Sequence, residues 1–199
     1  MTDKKPFSFL DPTFKRRIEQ SPQQKDLLRD ALGDLKGKKI RILDATAGLC
    51  RDALRLAYWG HEVWACEREQ KLSQEILSAL KEAQDDDFYK SWIHKLHYIP
   101  QSTEDFLNES KDLSFEIIII DPMFAIEGRK SLPKKELQIL QEKVSDEDNA
   151  EELLNFCWKY NAHKIILKRP LKASYIGPRK PTHSYKGRAH RWDVFVNPQ

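Results

Sequence analysis

The chain has 199 residues and a formal net charge of +3, with 34 Lys and Arg against 31 Asp and Glu. That length suits one α/β domain with a sizeable core and is too short for two full ones. No apolar run approaches the roughly 20 residues needed to cross a bilayer, and Met1 to Pro6 lacks the apolar stretch of a secretory signal, so a cytoplasmic protein is expected.

The opening stretch, Lys4 to Gln20, mixes aromatic and basic residues with two prolines and reads as an arm or short irregular cap. Ser21-Pro22 fits an N-cap followed by proline in the first helical turn. Leu27, Leu28, Ala31 and Leu32 then carry a helical spacing that ends near Gly33 or Gly37. Residues 1–37 are therefore an arm and helix, and 38–199 the main domain.

Ile40 to Leu43 is a predicted buried strand, followed by a helix with Leu54, Leu56, Ala57 and Trp59 that stops at Gly60. Val63 to Cys66 is the second strand, and Leu72, Ile76, Leu77 and Leu80 mark the next helix. Asp85 to Lys95 reads as a linker or an extra helical turn, Leu96 to Ile99 as a third strand, and Glu104 to Leu107 as a short helix. Phe115 to Ile120 ends in four consecutive isoleucines, which suits a central strand buried on both faces. Helical patterns run from about Pro133 to Lys143 and from Asp146 to Tyr160. Lys164 to Leu167 is a further strand, Pro170 to Pro181 a loop, and Trp192 to Val196 an alternating edge strand.

Strands alternating with helices imply βαβ units and a mostly parallel sheet, an α/β fold. In such sheets the ligand sits outside the carboxyl ends of the strands. Asp44, Glu67, Asp121 and Lys168 all fall at predicted strand ends and would share one rim. Cys50, Cys66 and Cys157 are odd in number and far apart, unlike a disulfide framework or a zinc site. Three reduced, mostly buried thiols and no metal are expected.

Asp44-Ala-Thr-Ala-Gly48 follows the first strand and opens a helix. Gly48 permits a tight turn and close approach of a ligand. A dinucleotide fingerprint would offer several glycines to cradle a pyrophosphate. This loop has one, which suits a ligand without phosphate and favours S-adenosylmethionine over NAD. Glu67, ending the second strand, can accept hydrogen bonds from both ribose hydroxyls. Arg68 could lie along the adenine, Asp52 could meet the methionine amino group, and Arg51 its carboxylate. Each signal is weak taken singly, since an acidic residue after a strand is more often a helix cap; their order is what carries the reading.

Ile120-Asp121-Pro122-Met123-Phe124 puts a carboxylate, a proline and an aromatic just past a buried strand. An exocyclic amine on a nucleobase is a poor nucleophile because its lone pair is delocalised into the ring. A site for it needs acceptors aimed at the N–H groups. Asp121 can supply one and the Pro122 carbonyl another, with the proline stiffening the turn. Phe124 can stack on a flipped base. Catalysis would be mainly positioning, with Asp121 also able to accept a proton. The plainer reading is a turn in which Pro122 breaks the strand and Phe124 joins the core. C5-methylation of pyrimidines needs a cysteine nucleophile, and no cysteine lies near Asp121 in sequence.

Lys164 to Arg191 is rich in Lys and Arg and has no acidic residue, which suggests a local anionic partner or a solvated basic tail. Tyr175, Tyr185 and Trp192 are interleaved with the charges, as in segments that hold phosphates and stack bases.

These residues together resemble the RsmJ family of small-subunit ribosomal RNA guanine-N2 methyltransferases. The matching stretches are Asp44 to Ala53, Glu67-Arg68, Ser102-Thr103, Asp121-Pro-Met-Phe124, Lys134-Lys-Glu136, Lys168-Arg-Pro170 and Lys186 to Asp193, with Phe9 to Arg17 leading in. The resemblance implies a class I S-adenosylmethionine-dependent methyltransferase fold, Rossmann-like, with a mostly parallel seven-stranded sheet and helices on both faces. It implies methylation of N2 of one guanosine in 16S ribosomal RNA. By position, Arg51, Asp52, Glu67, Arg68, Ser102, Thr103 and Asp121 would contact the cofactor or sit at its methyl end. Lys168, Arg169, Lys186, Arg188 and Arg191 are expected to face the RNA on the charge of the basic run, not by that correspondence. The family usually has Gly where this chain has Cys50, and its members are typically longer at the N-terminus. A methyltransferase acting on another RNA, a small molecule or a protein amine remains open, as does an RNA-binding assembly protein without catalysis.

Overall fold

The computed structural model describes residues 7–35, 37–122, 147–160, 162–177 and 179–197, with the backbone alone at 147–149. Their helices are α1 (Pro12–Gln20), α2 (Leu27–Leu32), α3 (Arg51–Tyr58), α4 (Gln70–Gln84), α5 (Thr103–Glu109) and α6 (Glu147–Trp158). The strands are β1 (Arg41–Asp44), β2 (Glu62–Cys66), β3 (Leu96–Ile99), β4 (Ile117–Ile120), β5 (Lys164–Pro170), β6 (His183–Lys186) and β7 (His190–Val196). They form one sheet in the order β3-β2-β1-β4-β5-β7-β6. β3 to β5 pair in parallel, and β7 runs antiparallel to both β5 and β6. The predicted α/β class is therefore the observed one. The Pro133 to Lys143 helix and Lys134-Lys-Glu136 lie outside the described residues.

Alternation along each strand sorts the core into two layers. Ile42, Val63, Ile117, Ile119 and Ile166 face the layer built with α1 to α4. Leu43, Ile118, Ile120, Ile165 and Leu167 face the layer built with α5 and α6. β4 is buried at all four positions, which is why an unbroken isoleucine run is tolerated there. Winding reverses between β1 and β4, so the crevice at their carboxyl ends is the place where an open α/β sheet takes a ligand.

Three expectations need correction. Residues 12–20 are a helix rather than an irregular cap, because Asp11 accepts from Thr13 N (2.9 Å) and Phe14 N (3.0 Å) and Pro12 starts the first turn. Ser21 closes that helix instead of opening the next: its hydroxyl donates to the Ile18 carbonyl (2.6 Å) and accepts from Trp59 Nε1 (2.8 Å). Asp26 is the N-cap of α2, accepting from Leu28 N at 2.9 Å. Both Asp11-Pro12 and Ser21-Pro22 carry a capping pattern, and Asp11 uses it while the Ser21 hydroxyl is engaged by Ile18 and Trp59.

The third correction concerns the sheet's end. β7 is interior, covered by β6, a strand that the sequence pattern does not announce. His183 to Lys186 is exposed or half-buried throughout and has no apolar alternation to read. Its turn with β7 lies at the same rim as the ends of β1 and β4, since His190 pairs with Pro170 at the carboxyl end of β5.

Candidate active site

The loop after β1 is sewn to both neighbouring strands. Ala45 N donates to the Ile119 carbonyl and Ala47 N to the Cys66 carbonyl, each at 2.8 Å. The Asp44 carboxylate accepts from Thr46 N (3.2 Å), closing an Asx-type turn. Gly48 has φ +52°, and Cys50 has φ +58° and ψ +21°. Cys50 is the sole non-glycine residue with positive φ among the described residues, and it directly precedes α3. A left-handed conformation at this position explains why glycine suits it. The buried thiol keeps the site packed despite the backbone strain.

Glu67, at the end of β2, is 4% exposed. Its Oε2 accepts from Gly48 N (3.0 Å) and its Oε1 from Glu69 N (2.8 Å). The carboxylate thus fixes the loop, and its two oxygens have lone pairs enough to accept from further donors such as a ribose diol. Ser102 caps α5, accepting from Asp105 N (3.1 Å) and donating to Asp105 Oδ2 (2.7 Å). Thr103 donates to the Ala45 carbonyl (2.8 Å), so its hydroxyl braces the loop.

A cavity of about 280 Å³ opens at this rim, with Thr46, Glu67, Arg68, Ser102, Thr103 and Pro122 in its wall. Asp44, Gly48, Arg51 and Asp52 do not line it; they belong to the loop and to the first turn of α3. Thr46, Gln101, Glu104 and Leu153 line the cavity or its mouth and lie outside the set expected from sequence. Gln101 precedes the Ser102 cap, a position that proximity to a strand end could have suggested.

The electrostatics are acidic. Asp44 is 3% exposed. Burial, followed by the charge of Asp52, pushes its carboxyl up from 3.8 to about 8, against the pull of the Thr46 N–H. Burial also raises Asp52, opposed by the Lys168 charge and assisted by that of Asp121. Burial pushes the Cys66 thiol up to about 12, which makes it a poor nucleophile. Such a set of carboxyl acceptors disfavours a phosphate and suits a ligand rich in N–H and O–H groups or positive charge. A ligand combining a sulfonium, an ammonium and a ribose diol fits these residues. Among the described residues no cluster of His, Cys, Asp and Glu could hold a metal ion.

Asp121 leaves β4 beside this cavity. Its N–H donates to Thr46 Oγ1 (2.7 Å), and its Oδ2 accepts from Lys168 Nζ (2.6 Å). Lys168 also lies 5.0 Å from the Trp192 ring centroid. The structure therefore places Lys168 on the carboxylate, not on an outer surface. Pro122 lines the cavity, while Met123 and Phe124 lie outside the described residues.

The other four residues of the predicted RNA-facing set separate into two groups. Lys186 and Arg188 are exposed at the β6–β7 turn. Arg169 and Arg191 are buried, which corrects the expectation that they face a phosphate backbone. Arg191 Nε donates to both oxygens of Asp193 (2.9 and 3.0 Å), and its Nη1 donates to the carbonyls of Pro170, Leu171 and Ala173. Arg169 Nη2 donates to the Ser174 carbonyl (3.1 Å). The signal that could have shown this is Asp193, two residues from Arg191 and on the same face of β7.

A sheet of this order with an antiparallel β7, and an acidic cradle at the β1–β2 rim, define a class I methyltransferase fold. The chain belongs to the family described as "Putative SAM-dependent methyltransferase", whose model matches residues 6–197. It is 36% identical over 155 residues to Ribosomal RNA small subunit methyltransferase J of Coxiella burnetii, covering 78% of this chain and 60% of that protein. It is 31% identical over 170 residues to the protein of the same name from Thioalkalivibrio sulfidiphilus, covering 85% and 67%. These relatives bear out the resemblance read from the motifs, and the chain spans 60% to 67% of their length. Among solved structures, a SAM-dependent methyltransferase from Neisseria gonorrhoeae superposes with a TM-score of 0.73 at 19% identity, over 98% of this chain and 77% of that one. An RNA methyltransferase from Salinibacter ruber in complex with S-adenosyl-L-homocysteine shares the fold at a TM-score of 0.52 and 11% identity, over 80% and 82%.

Proposed function

We propose that this chain transfers a methyl group from S-adenosylmethionine to the exocyclic N2 of a guanosine in 16S ribosomal RNA. The observation that carries the reading is Asp121, clamped by Thr46 and Lys168 at the exit of β4, beside an acidic cavity of the kind a sulfonium cofactor requires. The names of the relatives supply the RNA class.

When bound, the cofactor supplies an electrophilic methyl group. Glu67 would receive the ribose hydroxyls, Arg68 and Ser102 would flank the adenine, and Asp44 and Asp52 would face the methionine end with Arg51. Gly48 and Thr103 shape the loop beneath them. Asp121 Oδ and the Pro122 carbonyl would accept from the guanine N–H groups and turn the amine toward the methyl, which is positioning more than acid–base work. Lys168 holds the Asp121 carboxylate in one orientation, so the direction of the amine is set before reaction. Phe124 would stack on the flipped base. Residues 38–199 would carry the methyltransferase domain, with 1–37 as arm and helices whose α1 and α2 join its core, in a cytoplasmic protein. No helix among the described residues is long and apolar enough to cross a membrane.

Lys172, Arg179, Lys180, Lys186 and Arg188 are exposed along the chain that follows β5, which favours a polyanionic acceptor over a small molecule or a protein amine. The test is mass mapping of methylated nucleosides in ribosomal RNA from cells with and without this protein. One guanosine should lose its methyl group, and no change at any guanosine would sink the proposal. Asp121→Ala should lower transfer by about a hundredfold or more while calorimetric cofactor binding survives. Full activity in that variant would remove Asp121 from the mechanism.

A further inference from the structure

Two large apolar side chains are exposed among the described residues, Leu77 (44%) and Tyr175 (49%). Isolated exposure of this kind is ordinary, and Leu77 on α4 calls for nothing more. Tyr175 differs in how it is held. It lies in the loop that follows Pro170, at the rim where β5 ends beside β4 and Asp121. The guanidinium of Arg191 sits 5.1 Å from its ring centroid. That guanidinium is fixed in turn by Asp193 and by the carbonyls of Pro170, Leu171 and Ala173. Asp193 is itself held by Ser184, whose hydroxyl donates to it at 2.6 Å.

The loop is also clamped on either side of the ring. The Ser174 carbonyl, immediately before Tyr175, is taken by Arg169. Ile176, immediately after it, is buried in the layer that packs on β5 and α6. Two buried arginines and one buried isoleucine thus hold an exposed aromatic in a set orientation. The ring is backed by a cation, and about half of the residue's surface is open to solvent. The remaining aromatics of the basic segment offer no such surface: Tyr185 is half-buried, and Trp192 is buried with Lys168 over its ring.

We propose that Tyr175 is a stacking platform for an unpaired base of the RNA, flanking the nucleotide that is methylated, with Arg191 as the fixed backing of the ring. The inference rests on the reading of the acceptor as RNA and adds a base-binding position to it. An aromatic face accepts any base and gains from rigidity, since little freedom is lost on binding. Lys172 is exposed in the same loop and supplies a cation for a phosphate of the bound strand.

The test uses the full chain and single-stranded RNAs that carry 2-aminopurine at successive positions around a guanosine. At one position the wild type and Tyr175→Trp should quench the fluorescence by stacking. Tyr175→Ala should lose that quenching and bind about tenfold more weakly or worse, with S-adenosylhomocysteine binding unchanged. Tyr175→Leu, which keeps bulk over Arg191 without a π-face, should behave like the alanine variant; wild-type affinity in it would overturn stacking in favour of simple packing. Unchanged quenching and affinity in Tyr175→Ala would overturn the proposal as well. Quenching by the wild type without methyl transfer to any guanosine would remove the acceptor reading and leave the stacking site standing. Methyl transfer with no loss of quenching in Tyr175→Ala would do the reverse.

Discussion

At the β1–β2 half of the rim, Asp44, Asp52 and Glu67 crowd together, and burial forces Asp44 toward its neutral form. At the β5–β7 half, Arg169 and Arg191 are equally buried, yet they donate to backbone carbonyls and to the carboxylate of Asp193. The first half gathers three carboxyls, one of which, Asp52, pairs with Arg55 Nη1 at 2.8 Å. The second half turns its guanidinium groups inward and uses them to hold a loop. Asp121 stands between them, joined to the acidic loop through Thr46 and to the basic side through Lys168. The difference teaches that burial acts differently on the two signs at this rim: it drives a clustered carboxyl toward its neutral form, and it turns arginines into ties for a loop.

The contrast can be broken most severely on the basic side. Arg191→Met strands the Asp193 carboxylate in the interior, and loss of one partner of a buried pair costs about 3–5 kcal/mol. Denaturant unfolding should show a fall of that order, with part of it recovered in the double variant Arg191→Met/Asp193→Leu. An unfolding midpoint like that of the wild type would show that the loop does not depend on the pair.

The acidic side should respond to pH. Asp44 is held at about 8 in the folded chain against an ordinary 3.8. Between those values the folded state binds a proton that the unfolded state has lost. Stability should therefore fall as pH rises from about 4 to about 8 and level off above, by at most about 1.4 kcal/mol per pH unit from this group. Thermal melts across that range should slope downward for the wild type and less steeply for Asp44→Asn. Parallel slopes would remove Asp44 as their source.

The smallest effect belongs to the exposed cations. Lys186→Gln with Arg188→Gln should weaken RNA binding modestly. The slope of log K against log salt should become shallower by roughly 0.7 for each phosphate of a single strand that the variant leaves unneutralised. An unaltered salt slope would place the phosphate-binding cations elsewhere along the loop.

Much of the cofactor half is legible in the chain because its geometry is local. A strand, a small-residue turn with Gly48, a helix, and a second strand ending in Glu67 lie within one βαβ unit, and period and turn chemistry suffice to read them. Thr46 is not legible in this way because its partner, Asp121 N, lies far along the chain. Ser21 looks like the start of a helix for the same kind of reason, since its hydroxyl answers to Trp59 across the core.

The basic half is legible in charge and illegible in role. Residue types identify Lys168, Arg169, Lys186, Arg188 and Arg191 as cations, and apart from Asp193, two residues from Arg191, nothing local distinguishes those that face solvent from those that do not. What the amino-acid sequence determined by itself was the α/β order, the acidic cradle and Asp121 at the end of its buried strand. What only the tertiary structure decided was the pairing of β6 with β7, the burial of Arg169 and Arg191 and the outward placement of Tyr175. The physical reason is that hydrogen-bond partners distant in sequence, rather than local periodicity, set where a charged or aromatic side chain of a loop comes to rest.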